Sequence, residues 1–322
     1  MSDNKHHTVT KDPITGVETT GHVWDDTLQE FNNPLPGWWL WAFYATIIFS
    51  IVYWIIYPSW PTGLAEKGYL KGVGSITYKS DSLKDGQKIV GGGAEVTTHW
   101  NTRALLAQEM QNDPNELKRQ KMVKAVAAMP LADVVKDPGK SAFVVAYGKG
   151  IFGDYCAACH QTGGQGVIGN YPNLVDDAWL WGGDPVDIET SIRKGRIGNM
   201  PAHATILSAD EVTQAASYVL SLSGEESDAG LSEKGKTVFN TKGCSGCHMP
   251  TGVGMKALGA ANLTDKIWTQ ANVPAASNLE EKLEAVKTVI SNGISREMPA
   301  WESRLSNDEI KVLVAYIKIL SQ

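Results

Sequence analysis

The sequence predicts a mostly α-helical chain, one membrane-spanning helix followed by two tandem all-α domains, on three observations. They are an uncharged apolar stretch near the N-terminus, an internal repeat in the second half, and a Cys-x-x-Cys-His motif in each copy of that repeat. With 322 residues there is room for two domains of ordinary size and connecting segments. A composition of 43% hydrophobic and 20% charged residues fits a folded globular chain. The net charge of -6 leaves no basic footprint, which excludes nucleic acid as a partner.

Residues 36–57 read PGWWLWAFYATIIFSIVYWIIY, and no charge falls between Glu30 and Glu66. A helix of that length is about 33 Å long, close to the hydrocarbon thickness of a bilayer. Aromatics gather at both ends (Trp38, Trp39, Trp41; Tyr53, Trp54, Tyr57, Trp60), as interfacial belts do. The run starts too late, is too long and lacks a basic leader for a cleaved signal peptide, so it reads as a retained anchor in membrane lipid. Residues 1–35, polar and rich in turn formers, read as a short cytoplasmic tail. Charge alone points the other way, because Lys67, Lys71 and Lys79 follow the span and no Lys or Arg closely precedes it. Long domains translocate largely regardless of charge, and the chemistry of the Cys-x-x-Cys-His motifs in the second half belongs outside the cytoplasm.

Residues 58–139 read as a structured linker. Pro58, Pro61 and Gly91-Gly92-Gly93 precede a helix-compatible segment from about Thr98 to Met129, interrupted near Asp113-Pro114. The remainder repeats, as domains 140–223 and 224–322. GKGIFGDYCAACH (148–160) answers GKTVFNTKGCSGCH (235–248), and KGRIGNMPAH (194–203) answers NGISREMPAW (292–301). Trp179 and Trp268 each stand six residues beyond a matching Asn, Asn173 and Asn262. Each copy closes on a helix opened by a capping box, Ser208 with Glu211 and Ser306 with Glu309, followed by an i, i+3, i+4, i+7 apolar stripe.

Cys-x-x-Cys-His is the attachment motif of c-type haem: two thiols bond to the porphyrin and the adjoining imidazole ligates iron. All four cysteines of the chain, Cys156, Cys159, Cys244 and Cys247, lie in such motifs, with His160 and His248 following. The sequence therefore predicts two covalent haem c groups on two class I cytochrome c-like domains. A zinc ribbon needs closely spaced pairs, and a thioredoxin-like pair needs strand-containing surroundings that neither copy shows.

Met200 and Met298 hold matching places, each before a proline that favours extended backbone, and are the candidate axial ligands opposite the histidines. His203 is a rival ligand in the first copy, and Met249 beside His248 cannot reach the opposite face. Ligation within each domain is the default, and exchange between tandem domains is geometrically conceivable. His6, His7, His22 and His99 have no ligand-like spacing. Phe152 and Phe239, the two tryptophans, Tyr218 and Tyr316 are candidate haem walls. The acidic run Asp176, Asp177, Asp184, Asp187 and Glu189 is either a docking face for a basic donor or a solvated surface.

These residues resemble subunit III of cbb3-type cytochrome c oxidase, the membrane-anchored di-haem CcoP/FixP family. The likeness rests on LQEFNNPLPGWWLW at the entry to the span, YPSWP at its exit, the GYLKG segment, DYCAACHQTGGQGVIGNYPNLVDDAWLWGG, and the GNMPAH and REMPAW loops. The resemblance implies a subunit that is not itself the catalyst. It would accept electrons from a donor cytochrome c and pass them through a mono-haem subunit to a catalytic haem-copper subunit, where oxygen becomes water and protons are pumped. It also implies a bacterial inner membrane location, single-pass, with the N-terminus cytoplasmic and the haem domains periplasmic. The glycine-rich linker near Thr77 to Gly93 departs from the family pattern. A di-haem peroxidase would need an open iron, which two matched methionines oppose. A free-standing membrane cytochrome is opposed by the NNPLPGWWLW entry.

Overall fold

The computed structural model describes residues 9–24, 28–57 and 72–321. They fall into two compact units, Met1–Thr77 with Thr97–Leu106, and Tyr78–Val96 with Ala107–Gln322. His6, His7, Pro58, Trp60, Pro61, Lys67, Lys71 and most of YPSWP and GYLKG lie outside the described residues.

In the first unit, the segment expected to be a tail contains an antiparallel pair, β1 (Thr19–Trp24) and β2 (Leu28–Phe31). The span is α1 (Gly37–Ile56), entered at Pro36 and left at Tyr57. It is apolar all round, and none of its residues is buried by protein. A helix with no polar face and no protein cover is suited to lipid. Its two aliphatic hydroxyls bond to its own backbone, Thr46 Oγ1 to Phe43 O at 2.7 Å and Ser50 Oγ to Thr46 O at 2.8 Å, so neither of these faces hydrocarbon unpaired.

The linker holds four short strands, β3 (Ser75–Lys79), β4 (Ser82–Lys84), β5 (Gln87–Ile89) and β6 (Glu95–His99). β3 pairs with β6, and β4 with β5. No strands are expected here from sequence. The missed signal is Asp85-Gly86, both at positive φ (53° and 79°), which closes the β4–β5 hairpin with two residues. The expected interrupted helix is present as α2 (Thr102–Asn112) and α3 (Pro114–Ala127). Asp113 divides them, its carboxylate accepting from Asn115 N and Glu116 N at 2.8 and 3.0 Å. A short α4 (Leu131–Lys136) comes next.

The first copy of the repeat comprises α5 (Pro138–Tyr155), α6 (Ala157–His160), α7 (Pro185–Lys194), β7 (Arg196–Met200) and α8 (Ala209–Leu222). The second comprises α9 (Ala229–Thr241), α10 (Cys244–His248), α11 (Leu279–Asn292), β8 (Ile294–Met298) and α12 (Asn307–Leu320). Both capping boxes form as expected. The boundaries 140–223 and 224–322 follow the chain, but each copy lends its final strand and helix to the other. One core joins Val144, Ile151 and Phe152 of α5 and Ile188 and Ile192 of α7 to Ile310, Leu313 and Tyr316 of α12. The other joins Val212, Ala216 and Leu220 of α8 to Val238 of α9 and Val286 and Ile290 of α11.

The exchange is possible because α8 and α12 carry the same apolar stripe and meet the same kind of partner. Where the two copies cross, β7 and β8 pair antiparallel from Arg196 opposite Met298 to Met200 opposite Ile294. Gly195 (φ 70°) and Gly293 (φ 67°) precede the two strands. A Cβ on Gly195 would stand 2.2 Å from Met298 O, and one on Gly293 2.4 Å from Met200 O. Both conformation and space therefore demand glycine.

Candidate haem sites

Each attachment motif occupies a single short helical turn, in which positions i and i+3 share one face and i+4 lies beside them. Cys156 N bonds to Phe152 O at 2.8 Å and His160 N to Cys156 O at 2.9 Å, so the motif continues directly from α5. Burial, reinforced by Cys159 nearby, pushes the Cys156 thiol up to about 11, and burial also raises Cys244. Protonated thiols are poor zinc ligands and poor redox nucleophiles. Among the described residues no three His, Cys, Asp or Glu side chains converge as a metal site.

The histidines are oriented identically. His160 Nδ1 lies 2.9 Å from Pro172 O, and His248 Nδ1 lies 2.9 Å from Ala261 O. A carbonyl only accepts, so Nδ1 carries the proton and Nε2 offers its lone pair for a metal. Burial depresses the pKa of both rings, with the carbonyl bond opposing it, which favours the neutral, ligating form. The residue after each histidine reverses the chain at positive φ, Gln161 at 65° and Met249 at 62°. Gly166 N then bonds back to His160 O at 2.9 Å, and Gly254 N to His248 O at 3.0 Å. Pro172 and Ala261 are not found from sequence because a carbonyl acceptor has no residue-type signature. Their only trace is their place one residue before the matched asparagines.

The methionines arrive from the opposite copy. Met298 and Trp301 pack on the core that holds Cys156, Ala157, Leu174 and Trp179. Met200 packs with Leu263 and Trp268 on the core built by α8, α9 and α11. Backbone bonds pin both loops, Trp301 N to Ile192 O and His203 N to Ile290 O, each at 3.0 Å. Each methionine thus packs on the core of the opposite copy and not on that of its own. The aromatic walls cross in the same way: Phe152 meets Tyr316 at 5.6 Å between centroids, and Phe239 meets Tyr218 at 5.4 Å. Phe239 also lies 6.5 Å from the His248 ring. Met249 is partly exposed, away from both cores.

Elsewhere, His99 Nδ1 is hydrogen-bonded with Gly72 O at 2.9 Å, and His22 lies against Trp24. In the acidic run, Asp187 pairs with Lys256 and Glu189 with Arg193 at 2.7 Å, so part of that charge is neutralised within the fold. Burial, with Asp177 and Asp265 nearby, raises the pKa of Asp176.

The residues present fit haem c. Each site offers paired thiols and an imidazole oriented through Nδ1, and the second core also contains two buried nitrogens without partners, His203 Nδ1 and Trp268 Nε1. Such arrangements in tandem, behind one helix able to cross a membrane by length and composition, define a cytochrome c-type protein of electron transport. Residues 144–219 and 231–317 match the family described as cytochrome c oxidase, cbb3-type, subunit III, and residues 16–63 match the N-terminal domain of cytochrome oxidase-cbb3, FixP. The chain is 38% identical to the cbb3-type cytochrome c oxidase subunit FixP of Azorhizobium caulinodans, over 99% of this chain and 98% of that one. It is 37% identical to subunit CcoP of Azospirillum brasilense, over 95% and 96%. Subunit FixP of Bradyrhizobium diazoefficiens is 38% identical, over 96% of each chain. The protein belongs to the cbb3-type cytochrome c oxidase subunit III family.

Proposed function

We propose that this chain is the electron-entry subunit of a cbb3-type oxidase and carries two covalent haem c groups whose axial ligands are exchanged between the repeat copies. In this reading Cys156 and Cys159 hold the first haem, with His160 and Met298 as axial ligands. Cys244 and Cys247 hold the second, with His248 and Met200. The observation that carries it is the seating of Met298 on the Cys156 core and of Met200 on the other. When bound, haem c supplies a reversible one-electron couple that needs little change of geometry.

The protein's part is to hold that couple still and dry. Pro172 and Ala261 fix the imidazole tautomer, and the Phe–Tyr pairs wall off water, which tunes the potential. The donor is a cytochrome c, and electrons leave through a mono-haem subunit to the catalytic haem-copper subunit, where oxygen is reduced and protons are pumped. The chain itself is not the catalyst. It is anchored once by α1 in a bacterial inner membrane, with residues 1–35 cytoplasmic and the haem domains periplasmic.

Mild-detergent purification from native membranes tests the reading. The expected result is a complex containing a haem-copper subunit, two covalent haems on this chain, and oxygen uptake with reduced cytochrome c. For the ligands, the chain with Cys244→Ala and Cys247→Ala isolates the first haem. Adding Met298→Ala should abolish the sulfur-to-iron charge-transfer band of the ferric state, and adding Met200→Ala should leave it. The reverse pattern would restore ligation within each copy.

A further inference from the structure

The two methionine loops are held alike on one side. Trp301 N bonds to Ile192 O at 3.0 Å and Glu302 N to Arg193 O at 3.4 Å; in the other loop His203 N bonds to Ile290 O at 3.0 Å and Ala204 N to Ser291 O at 3.3 Å. On the other side the first of these loops has more. Glu302 O, four residues beyond Met298, accepts from Lys88 N of β5 at 3.1 Å. At the start of α12, Asn307 Nδ2 donates to Gln87 Oε1 at 2.7 Å, and Gln87 Nε2 donates back to Asn307 Oδ1. The Glu302 carboxylate accepts from Lys194 Nζ of α7 at 2.8 and 3.0 Å. The matching positions after Met200 are Ala204 and Ala209, which have no side-chain group to offer.

The β4–β5 hairpin is shaped for this contact. Asp85 and Gly86 make a two-residue turn, so the flanking Lys84 and Gln87 exchange the ladder bonds, and Lys88, opposite Leu83, points its N–H away from β4. That outward edge is the one Glu302 occupies. The base of the hairpin is fixed in turn. Asp81 accepts from Gly91 N at 2.9 Å and pairs with Lys88 Nζ at 3.3 Å. The Gln111 side chain of α2 makes both bonds to the Lys79 backbone, at 2.9 and 2.6 Å.

We propose that the β4–β5 hairpin is a strap that holds the Met298 loop closed, with Gln87, Lys88 and Asn307 as its positioning residues, at places where the Met200 loop has only alanine. The inference rests on the reading of Met298 as an axial ligand, whichever haem it serves. A loop that opens locally takes its sulfur off the iron, and each bond the strap adds to the closed state lowers the open population. The linker, which lies outside the repeat, thereby guards the methionine ligation that keeps the potential of that haem high.

The test is made on the full chain, purified in detergent with both haems attached, by titrating the ferric protein with imidazole, which replaces methionine only when its loop opens. Bleaching of the sulfur-to-iron charge-transfer band reports each displacement, and Met298→Ala identifies the Met298 phase by removing it. If Met298→Ala leaves both phases in place, the ligand reading fails and the strap with it. With the phase assigned, Gln87→Ala and Asn307→Ala should each tighten imidazole binding at the Met298 haem by about two- to fivefold, the lower part of a hydrogen bond's worth because Asn307 is exposed. The double variant should match either single one, since both groups act through one contact. Gln87→Asn with Asn307→Gln exchanges the amides at constant total length and should restore the original affinity. Lys88→Pro removes the outward N–H while sparing the ladder to β4, and should act in the same direction. It carries the test should the amide variants lose haem. The Met200 phase should stay where it is throughout. An unchanged Met298 phase in Gln87→Ala and Lys88→Pro, or equal movement of the two phases, which marks a general loosening of the fold, would overturn the proposal.

Discussion

Trp301 stands edge-on to Tyr155, 5.5 Å between ring centroids, although the two belong to opposite copies of the repeat. Tyr155 precedes Cys156 directly, so this contact clamps the second methionine loop onto the first attachment motif. Trp301→Ala should destabilise the chain by about 2 kcal/mol, less than a fully buried tryptophan costs because the ring is partly exposed. Its effect should fall on the first haem, read as a broadened or shifted first-haem titration with the second unchanged. Disturbance of the second haem alone would contradict the exchanged arrangement.

Two glycines set how closely the exchanged helices approach. A Cβ on Gly235 would stand 1.9 Å from Gln214 O in the backbone of α8, and one on Gly148 would stand 2.6 Å from Tyr316 Cβ on α12. Gly148→Ala and Gly235→Ala should each cost about 1 to 3 kcal/mol by forcing the helices apart, despite the better helix propensity of alanine. Gly235→Ala should be the worse, because a backbone carbonyl cannot step aside as a side chain can. Denaturant midpoints and covalent haem per chain measure both.

The capping boxes offer a gentler probe of the same crossing. Ser306 Oγ accepts from Glu309 N at 3.3 Å while Glu309 Oε2 accepts from Ser306 N at 2.8 Å, and Ser208 with Glu211 repeats the pattern. Ser306→Ala and Ser208→Ala should each lose about 1 kcal/mol. Amide exchange should rise in α12 together with α5 for the first, and in α8 together with α9 for the second. If Ser306→Ala instead loosened α9, the pairing of α12 with α5 would be wrong.

Alkaline pH should loosen the first core through Tyr147. Burial chiefly, with Glu309 adding to it and Arg119 opposing, raises its phenol to about 12. Because the folded value lies above the unfolded one, near 10, the stabilisation is complete below pH ~10 and is lost as the pH rises toward 12. Discounted for partial exposure, the loss is about 1 kcal/mol. Tyr147→Phe should flatten that part of the stability curve, and an unaltered alkaline slope in the variant would exclude Tyr147 as its source.

By itself the sequence determined the anchor, the two attachment turns, both methionine loops and both capping boxes. Each is a local matter: an apolar run of bilayer length, a spacing within one helical turn, a proline after methionine, a serine three residues before a glutamate. The interrupted linker helix at Asp113-Pro114 was legible for the same reason, while the β4–β5 hairpin at Asp85-Gly86 went unread between strands too short to show alternation. Only the tertiary structure decided which core each methionine packs on and that Phe152 meets Tyr316 rather than Tyr218. It alone showed that Pro172 and Ala261 aim the histidines and that the ring Nδ1 of His203 is buried without a hydrogen-bond partner. A repeat makes the two terminal helices chemically equivalent, so their stripes fit either copy. The choice between them is made by the chain's crossing at Gly195 and Gly293, where β7 and β8 pair and no side chain has room.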